Sequence, residues 1–265
     1  MQTIAIYKAA RSLLDRRLSL TSITELPQAI RPGDELEGYA VQQAYNTLLG
    51  RAGLGKAVGY KVGCTTLVMQ TSLGIANPCS GVIHEAAVLR RGGTIPHSGF
   101  LNLGVECEFA VELRCDLFPN GSRFTRAGVE AAVGAVMVAI EIVDNRYADH
   151  RTLGIPTLIA DNFFDCGCVL GDPVRDWHAL DLPGLWGTIS INGSEVRRGR
   201  GEAVMGHPFE ALAWLANSRA RNGLRPLRKG EFVLLGSIVK TKRLHRGDDV
   251  RVAIEALGEL QLHVD

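Results

Sequence analysis

Val105-Glu106-Cys107-Glu108-Phe109-Ala110-Val111-Glu112-Leu113 alternates apolar and acidic residues along most of its length. A period of two belongs to a half-buried β-strand, in which successive side chains point to opposite faces. Glu106 and Glu108 therefore share one face, and Val105, Cys107, Phe109 and Val111 share the other. Two neighbouring carboxylates repel each other unless something positive lies between them, and a divalent cation with oxygen ligands is the usual solution. The competing reading is a solvated sheet face, and Glu112 is expected to be of that kind. The pattern points to a β-rich chain and, as the leading idea, to a metal-dependent enzyme.

Two further stretches strengthen that idea. In Ala139-Ile140-Glu141-Ile142-Val143-Asp144, Glu141 interrupts an otherwise apolar strand. A carboxylate buried alone costs several kcal/mol, so it must be paired or bound to a metal. An ion pair with Arg146 or another basic residue is the alternative to a metal. In Gly59-Tyr60-Lys61-Val62-Gly63 the lysine is flanked by glycines and apolar residues. Desolvation there lowers a lysine pKa and suits it to acid–base work, whereas an ordinary surface lysine is the alternative.

Composition narrows the field. The 265 residues carry a net charge of +1, with 29 basic and 28 acidic side chains. No basic cluster is interleaved with aromatics, so nucleic acid is not an expected partner. Arg197-Arg198-Gly199-Arg200 reads as a short solvated loop. No apolar run approaches a membrane span, and the N-terminus lacks the order of a secretory signal. Six cysteines without a CxxC pair do not form a disulfide framework in a chain of this length. A reduced, soluble, cytoplasmic protein is expected. The seven histidines show no metal-ligand spacing; His207 is expected to be structural. Neither a Gly-x-Ser-x-Gly elbow nor a phosphate loop is present.

The expected fold class is α+β, with a helical N-terminal cap region over residues 1–80 and a β-rich, metal-binding catalytic domain over 81–265. Helices are expected over about 3–19 and 37–52, the second with Val41, Ala44, Tyr45, Leu48 and Leu49 on its buried side. Residues 53–63 read as a Gly-rich stretch. Strands are expected near 82–83, 88–89, 105–113, 136–143, 167–170, 187–192, 231–236, 249–254 and 259–264. Two helices interrupt them: one N-capped by Thr125 and running to about Gly134, the other over about 208–221 with Pro208 in its first turn.

These segments together resemble a known family. Gly59-Tyr60-Lys61-Val62-Gly63-Cys64-Thr65, Val105-Glu106-Cys107-Glu108, Ala139–Asp144, Ala160-Asp161-Asn162, Gly206-His207-Pro208 with Ala211–Asn217, and Leu235-Gly236-Ser237 occur in order. The set is similar to the 2-keto-4-pentenoate hydratase / 4-oxalocrotonate decarboxylase family of the fumarylacetoacetate hydrolase superfamily. The resemblance spans about residues 40–265, and the ordered set is far more specific than any one motif.

The resemblance implies a metal triad of Glu106, Glu108 and Glu141 with Mg²⁺ or Mn²⁺, Lys61 as the acid–base group, and Asp161, Asn162 and Ser237 near the carboxylate end of a small 2-keto or 2-hydroxy acid. It also implies a homo-oligomer. A cation chelating such an acid stabilises the enolate next to its carbonyl. That one core serves hydration of 2-hydroxypenta-2,4-dienoate, the leading expectation, and places the enzyme in the lower part of meta-cleavage aromatic catabolism. It serves equally decarboxylation of a 4-oxalocrotonate- or oxaloacetate-like acid and hydrolysis of an acylpyruvate C–C bond. A non-catalytic assembly partner of such an enzyme is the alternative from another class. Family hydratases often carry an aspartate in a Pro-Asp-x-Gly stretch, where this chain has Pro78-Cys79-Ser80-Gly81. Lys240 and Lys242 are read as surface charge, with a second acidic group on the substrate as the alternative.

Overall fold

The computed structural model describes residues 1–265, apart from the side chain of Ser72. In chain order the elements are α1 (Thr3–Leu18), α2 (Glu35–Leu49), β1 (Ala57–Gly63), α3 (Leu67–Leu73), β2 (Cys79–His84), β3 (Val88–Arg90), β4 (Gly92–Ile95), β5 (Leu103–Leu113), α4 (Arg126–Glu130), β6 (Val133–Asp144), α5 (Ile155–Ala160), β7 (Asp165–Leu170), β8 (Trp186–Ile191), β9 (Ser194–Arg200), α6 (Pro208–Arg221), β10 (Phe232–Ser237), β11 (Lys242–Arg243), β12 (Asp249–Ile254) and β13 (Gly258–Val264). The α+β class is the expected one.

The strands form two mixed sheets. The larger runs β2-β1-β10-β5-β6-β7-β3, with β11 added along β5, and the smaller runs β4-β13-β12-β8-β9. The β1/β10, β3/β7 and β4/β13 pairs are parallel. Val105, Cys107, Phe109 and Val111 of β5 share one apolar cluster with Ile189, Val252 and Leu260 of the smaller sheet. That inter-sheet core makes one face of β5 obligatorily apolar, and the acids go to the other face by alternation.

The ends of the helices follow local chemistry. Asp34 caps α2 by accepting a hydrogen bond from the Glu37 N–H at 2.9 Å. Thr125 caps α4 as expected, but α4 stops at Glu130 and the chain enters β6 at Val133. His207 caps α6, its Nδ1 accepting from the Phe209 N–H at 3.1 Å, which gives it the structural place expected. No helix is long and apolar enough to cross a membrane.

The N-terminal helices share an apolar cluster with Cys64, Cys79, Tyr147, Ile159 and Phe163. Residues 57–63, read from sequence only as a Gly-rich stretch, form β1 inside the larger sheet. The larger sheet therefore begins at β1, inside the stretch expected to be a helical cap. Its glycines reflect close packing within the sheet: a Cβ on Gly59 would lie 2.6 Å from the Phe232 ring. The short helices α3 and α5 and the strands β4, β9 and β11 were also absent from the sequence reading, and Arg197–Arg200, read as a solvated loop, forms the exposed end of β9.

Candidate metal and acid–base site

Register assembles the site. Glu106 of β5 lies directly opposite Glu141 of β6, and Glu108 lies opposite Ala139. Side chains of paired residues project to the same face, so three carboxylates meet across two adjacent strands. One oxygen from each of Glu106, Glu108 and Glu141 falls within 4.8 Å of the others. Beneath them lies an apolar floor that includes Ala110, Met137, Ala139, Cys168 and Leu234. Glu108 and Glu141 are wholly buried, and Glu106 is partly exposed.

β1 brings in the cation. Lys61 is 3% exposed and its Nζ lies 2.8 Å from Glu141 Oε1. The Phe163 ring covers it, its centroid 5.2 Å from Nζ. Of the basic partners considered from sequence, Glu141 thus pairs with Lys61 and not with Arg146. The expected lowering of the lysine pKa is corrected. Burial does pull it down, but Glu141, Glu106 and Glu108 more than offset this and hold Lys61 above its ordinary range.

The carboxylates respond in the opposite sense. Burial first, and the charge of Glu141 second, push Glu106 up to about 7. Burial, Glu141 and Glu106 push Glu108 well above the usual carboxylate range. Few donors relieve them. The Gly236 N–H donates to Glu108 Oε2 at 2.9 Å, and the Thr241 hydroxyl donates to Glu106. Apart from the Lys61 ion pair, Glu108 Oε1 and both Glu141 oxygens have no partner among the described residues. Buried carboxylate oxygens left this way fit a hard divalent cation with oxygen ligands. Glu112 is the solvated acid expected, half-exposed with Arg175 at 3.9 Å.

Asp161 and Asn162 lie behind this cluster. Both are wholly buried. Asp161 Oδ2 accepts from Arg146 Nε at 3.1 Å, from an Arg146 terminal nitrogen at 2.8 Å and from the Tyr147 hydroxyl at 3.1 Å. Asn162 forms a reciprocal amide pair with Asn46 at 2.7 and 2.9 Å, and its amide also meets the Val82 backbone. Asn162, Phe163 and Phe164 all have positive φ, at 61°, 49° and 67°. This bend sets Phe163 against Lys61 and brings the Asn162 carbonyl to the β1–β2 pair. There Gly81 faces Lys61, and a Cβ on it would lie 2.7 Å from the Asn162 oxygen.

Ser237 sits at the end of β10 opposite Glu108, its hydroxyl donating to the Val239 carbonyl at 2.7 Å. Sequence reasoning missed Phe163, Thr241 and the Gly236 amide. The Leu235-Gly236-Ser237 stretch held the signal for the last: Gly236 has φ +106°, and a Cβ there would lie 2.4 Å from the Thr65 hydroxyl oxygen. Only glycine fits where a backbone amide must reach a buried carboxylate.

The chain belongs to the fumarylacetoacetate hydrolase family, whose C-terminal-domain model matches residues 39–265. Among its relatives are hydratases of nearly equal length. A 2-keto-4-pentenoate hydratase of Burkholderia vietnamiensis is 31% identical over 261 residues, covering 98% of this chain and 94% of the relative. A 2-hydroxyhexa-2,4-dienoate hydratase of Comamonas testosteroni is 34% identical over 226 residues, 82% and 84% of the two chains. The 4-oxalocrotonate decarboxylase from Pseudomonas putida G7, solved with magnesium and adipate, shares the fold with a TM-score of 0.91 at 24% identity, covering 100% and 99%. The family resemblance drawn from the motifs is thereby borne out.

Proposed function

We propose that this chain is a divalent-metal-dependent hydro-lyase. It converts a 2-hydroxy-2,4-dienoate of the 2-hydroxypenta-2,4-dienoate type to the 4-hydroxy-2-keto acid. The observation that carries the reading is a buried cluster of three carboxylates with unpartnered oxygens and one lysine at 2.8 Å from Glu141. Identity of 31% over 98% of the chain to a hydratase supports the choice of reaction.

Glu106, Glu108 and Glu141 would hold the ion, Mg²⁺ or Mn²⁺ by the hardness of the donor set. Bound there, a divalent cation would supply Lewis-acid stabilisation of negative charge on the 2-oxygen. Lys61 moves the proton: one leaves the 2-hydroxyl and one reaches C5, giving a 2-oxo-3-enoate. Water then adds at C4, its proton returning to C3. Glu141 keeps the ammonium aimed at this space, and Phe163 keeps water off it. Ser237, partly exposed beside Glu108, lies within the substrate's reach. Asp161 and Asn162 position Phe163 and the β1–β2 pair beside the substrate space. The working form is a cytoplasmic homo-oligomer, in keeping with the family resemblance.

One observation favours decarboxylation as the second reading. Cys79, where family hydratases often carry an aspartate, is 1% exposed and its thiol is pushed well above its ordinary pKa by burial. It cannot activate water, and loss of CO₂ needs none.

A side-by-side assay with Mn²⁺ or Mg²⁺ decides. The expected result is metal-dependent ultraviolet loss of 2-hydroxypenta-2,4-dienoate without CO₂, abolished by chelator. Metal-dependent CO₂ release from 4-oxalocrotonate, with the dienoate untouched, would replace the hydratase reading by the decarboxylase one.

A further inference from the structure

β1 has a second face. Lys61 enters the carboxylate cluster, and Tyr60, by strand alternation, projects to the other side. There it borders a cleft of about 670 Å³ between α2, β1, β2 and the end of α6. Four cationic side chains line it, Arg51, Lys56, Arg219 and Arg225, together with His84, and no acidic side chain does.

The charge balance around this cleft is uneven. Lys56 has Glu85 at 3.9 Å and Arg225 pairs with Glu231, so two of the four cations are matched by acids outside the lining. Arg51 and Arg219 have no carboxylate within ion-pair distance among the described residues. Arg219 is the unusual one. It is 7% exposed, its Nε donates to the Arg225 carbonyl at 2.8 Å, and its guanidinium lies 4.1 Å from the centre of the Tyr60 ring. Burial, helped by the neighbouring Arg225 charge, pulls its pKa below the usual arginine range. A buried charge is costly unless paired, and a π-face offsets only part of that cost.

We propose that this cleft binds a small oxyanion carrying about two negative charges, a phosphate ester or a dicarboxylate, with Arg219 as its central contact. Two unmatched guanidinium groups set the charge, and their planar forks suit two-oxygen recognition of phosphate or carboxylate. Arg51 and Lys56 stand at the exposed rim, where they draw the anion in. The site is separate from the carboxylate cluster, across the strand from Lys61, and does not depend on the reaction assigned to that cluster.

Calorimetric titration of the full chain with inorganic phosphate and, separately, with succinate tests the proposal. Chelator-treated protein is used, because the metal-free carboxylate cluster repels anions. Saturable one-to-one binding of either probe is expected. Preference for phosphate identifies a phosphate ester, and preference for succinate a dicarboxylate. Arg219→Met should weaken binding by about tenfold or more, the loss of one charged hydrogen-bonding contact. Should that variant fold poorly, the surface double variant Arg51→Glu/Lys56→Glu should weaken binding comparably. Absence of saturable binding, or equal affinity in the variants, overturns the site. So does a change of oligomeric mass in the double variant with no anion binding by the parent, which would make the cleft a subunit contact.

Discussion

Two buried ionic clusters lie within this fold, and they are built on opposite terms. Around Arg146, one guanidinium meets the Asp161 carboxylate, the Asp161 and Asp165 carbonyls and the Cys166 sulfur, all at 2.8–3.1 Å. The Tyr147 hydroxyl adds a donor to the same carboxylate. Around Glu141, three carboxylates share one ammonium and leave oxygens without partners. The first pairs one cation with one carboxylate and saturates the cation, although Asp161 Oδ1 has no hydrogen-bond partner among the described residues. The second, with all three acids ionised, carries an excess of two negative charges, the complement of one divalent cation. Matched charge marks a joint that holds the chain, and surplus charge marks a place where something else arrives.

The comparison can be broken at either end. The largest effect is expected from Glu108→Gln. Turnover should fall below detection and stoichiometric Mn²⁺ binding should disappear, while circular dichroism shows an intact fold. Retained tight Mn²⁺ would remove Glu108 from the ligand set. Next comes Lys61→Ala, which should keep the metal and lose about 10²–10⁴-fold in kcat, the usual contribution of a positioned acid–base group. Unchanged turnover would end its acid–base role.

Arg146→Met acts on stability instead. Leaving Asp161 buried without its partner should cost about 3–5 kcal/mol in denaturant unfolding, with Mn²⁺ affinity of the folded protein preserved. A large loss of metal affinity would show that the two clusters are not independent. The smallest effect sharpens the boundary between them. Asp165 is buried, and burial pushes its carboxyl up to about 6. A folded-state pKa raised above the unfolded value means the native chain holds this proton more tightly. The group's contribution is therefore most favourable below about pH 4 and is lost as pH rises through 6. Asp165→Asn should accordingly raise the unfolding midpoint relative to the parent at pH 7.5, with the difference shrinking toward pH 4. A parent that stays ahead at every pH would show that the ionised carboxylate is wanted.

How far the sequence reached depends on what each residue's neighbours were. The β5 alternation was legible because one apolar face and one acidic face are a local property of nine residues. Glu141 was legible as an anomaly for the same reason, but its partner was not, since Lys61 lies eighty residues earlier and meets it only through the order β1-β10-β5-β6. β1 went unread because Gly59 and Gly63 erase the strand's apolar pattern. They do so to make room for Phe232 and Phe163, contacts that no local window contains. The Asp161–Asn162 stretch was assigned a place near substrate from its motif alone. The structure puts both residues in wholly buried hydrogen bonds, partners that only three-dimensional pairing could reveal. The 208–221 helix was read to the residue because its signals, Pro208 at the start and Gly223 beyond the end, are local.

The parallel pairing of β1 with β10 sets Tyr60 beside Val233. The strand that delivers the lysine therefore finds its neighbour 173 positions later, and β10 in turn separates it from the acid-bearing β5. A pairing of such long sequence separation forms slowly, because the whole intervening loop must be closed before it is rewarded. During synthesis, β5 and β6 can align their carboxylates as soon as residue 144 has emerged, yet the lysine cannot be docked until residue 237 has. The acidic half of the site is therefore assembled early, and the lysine joins it only once β10 has been made.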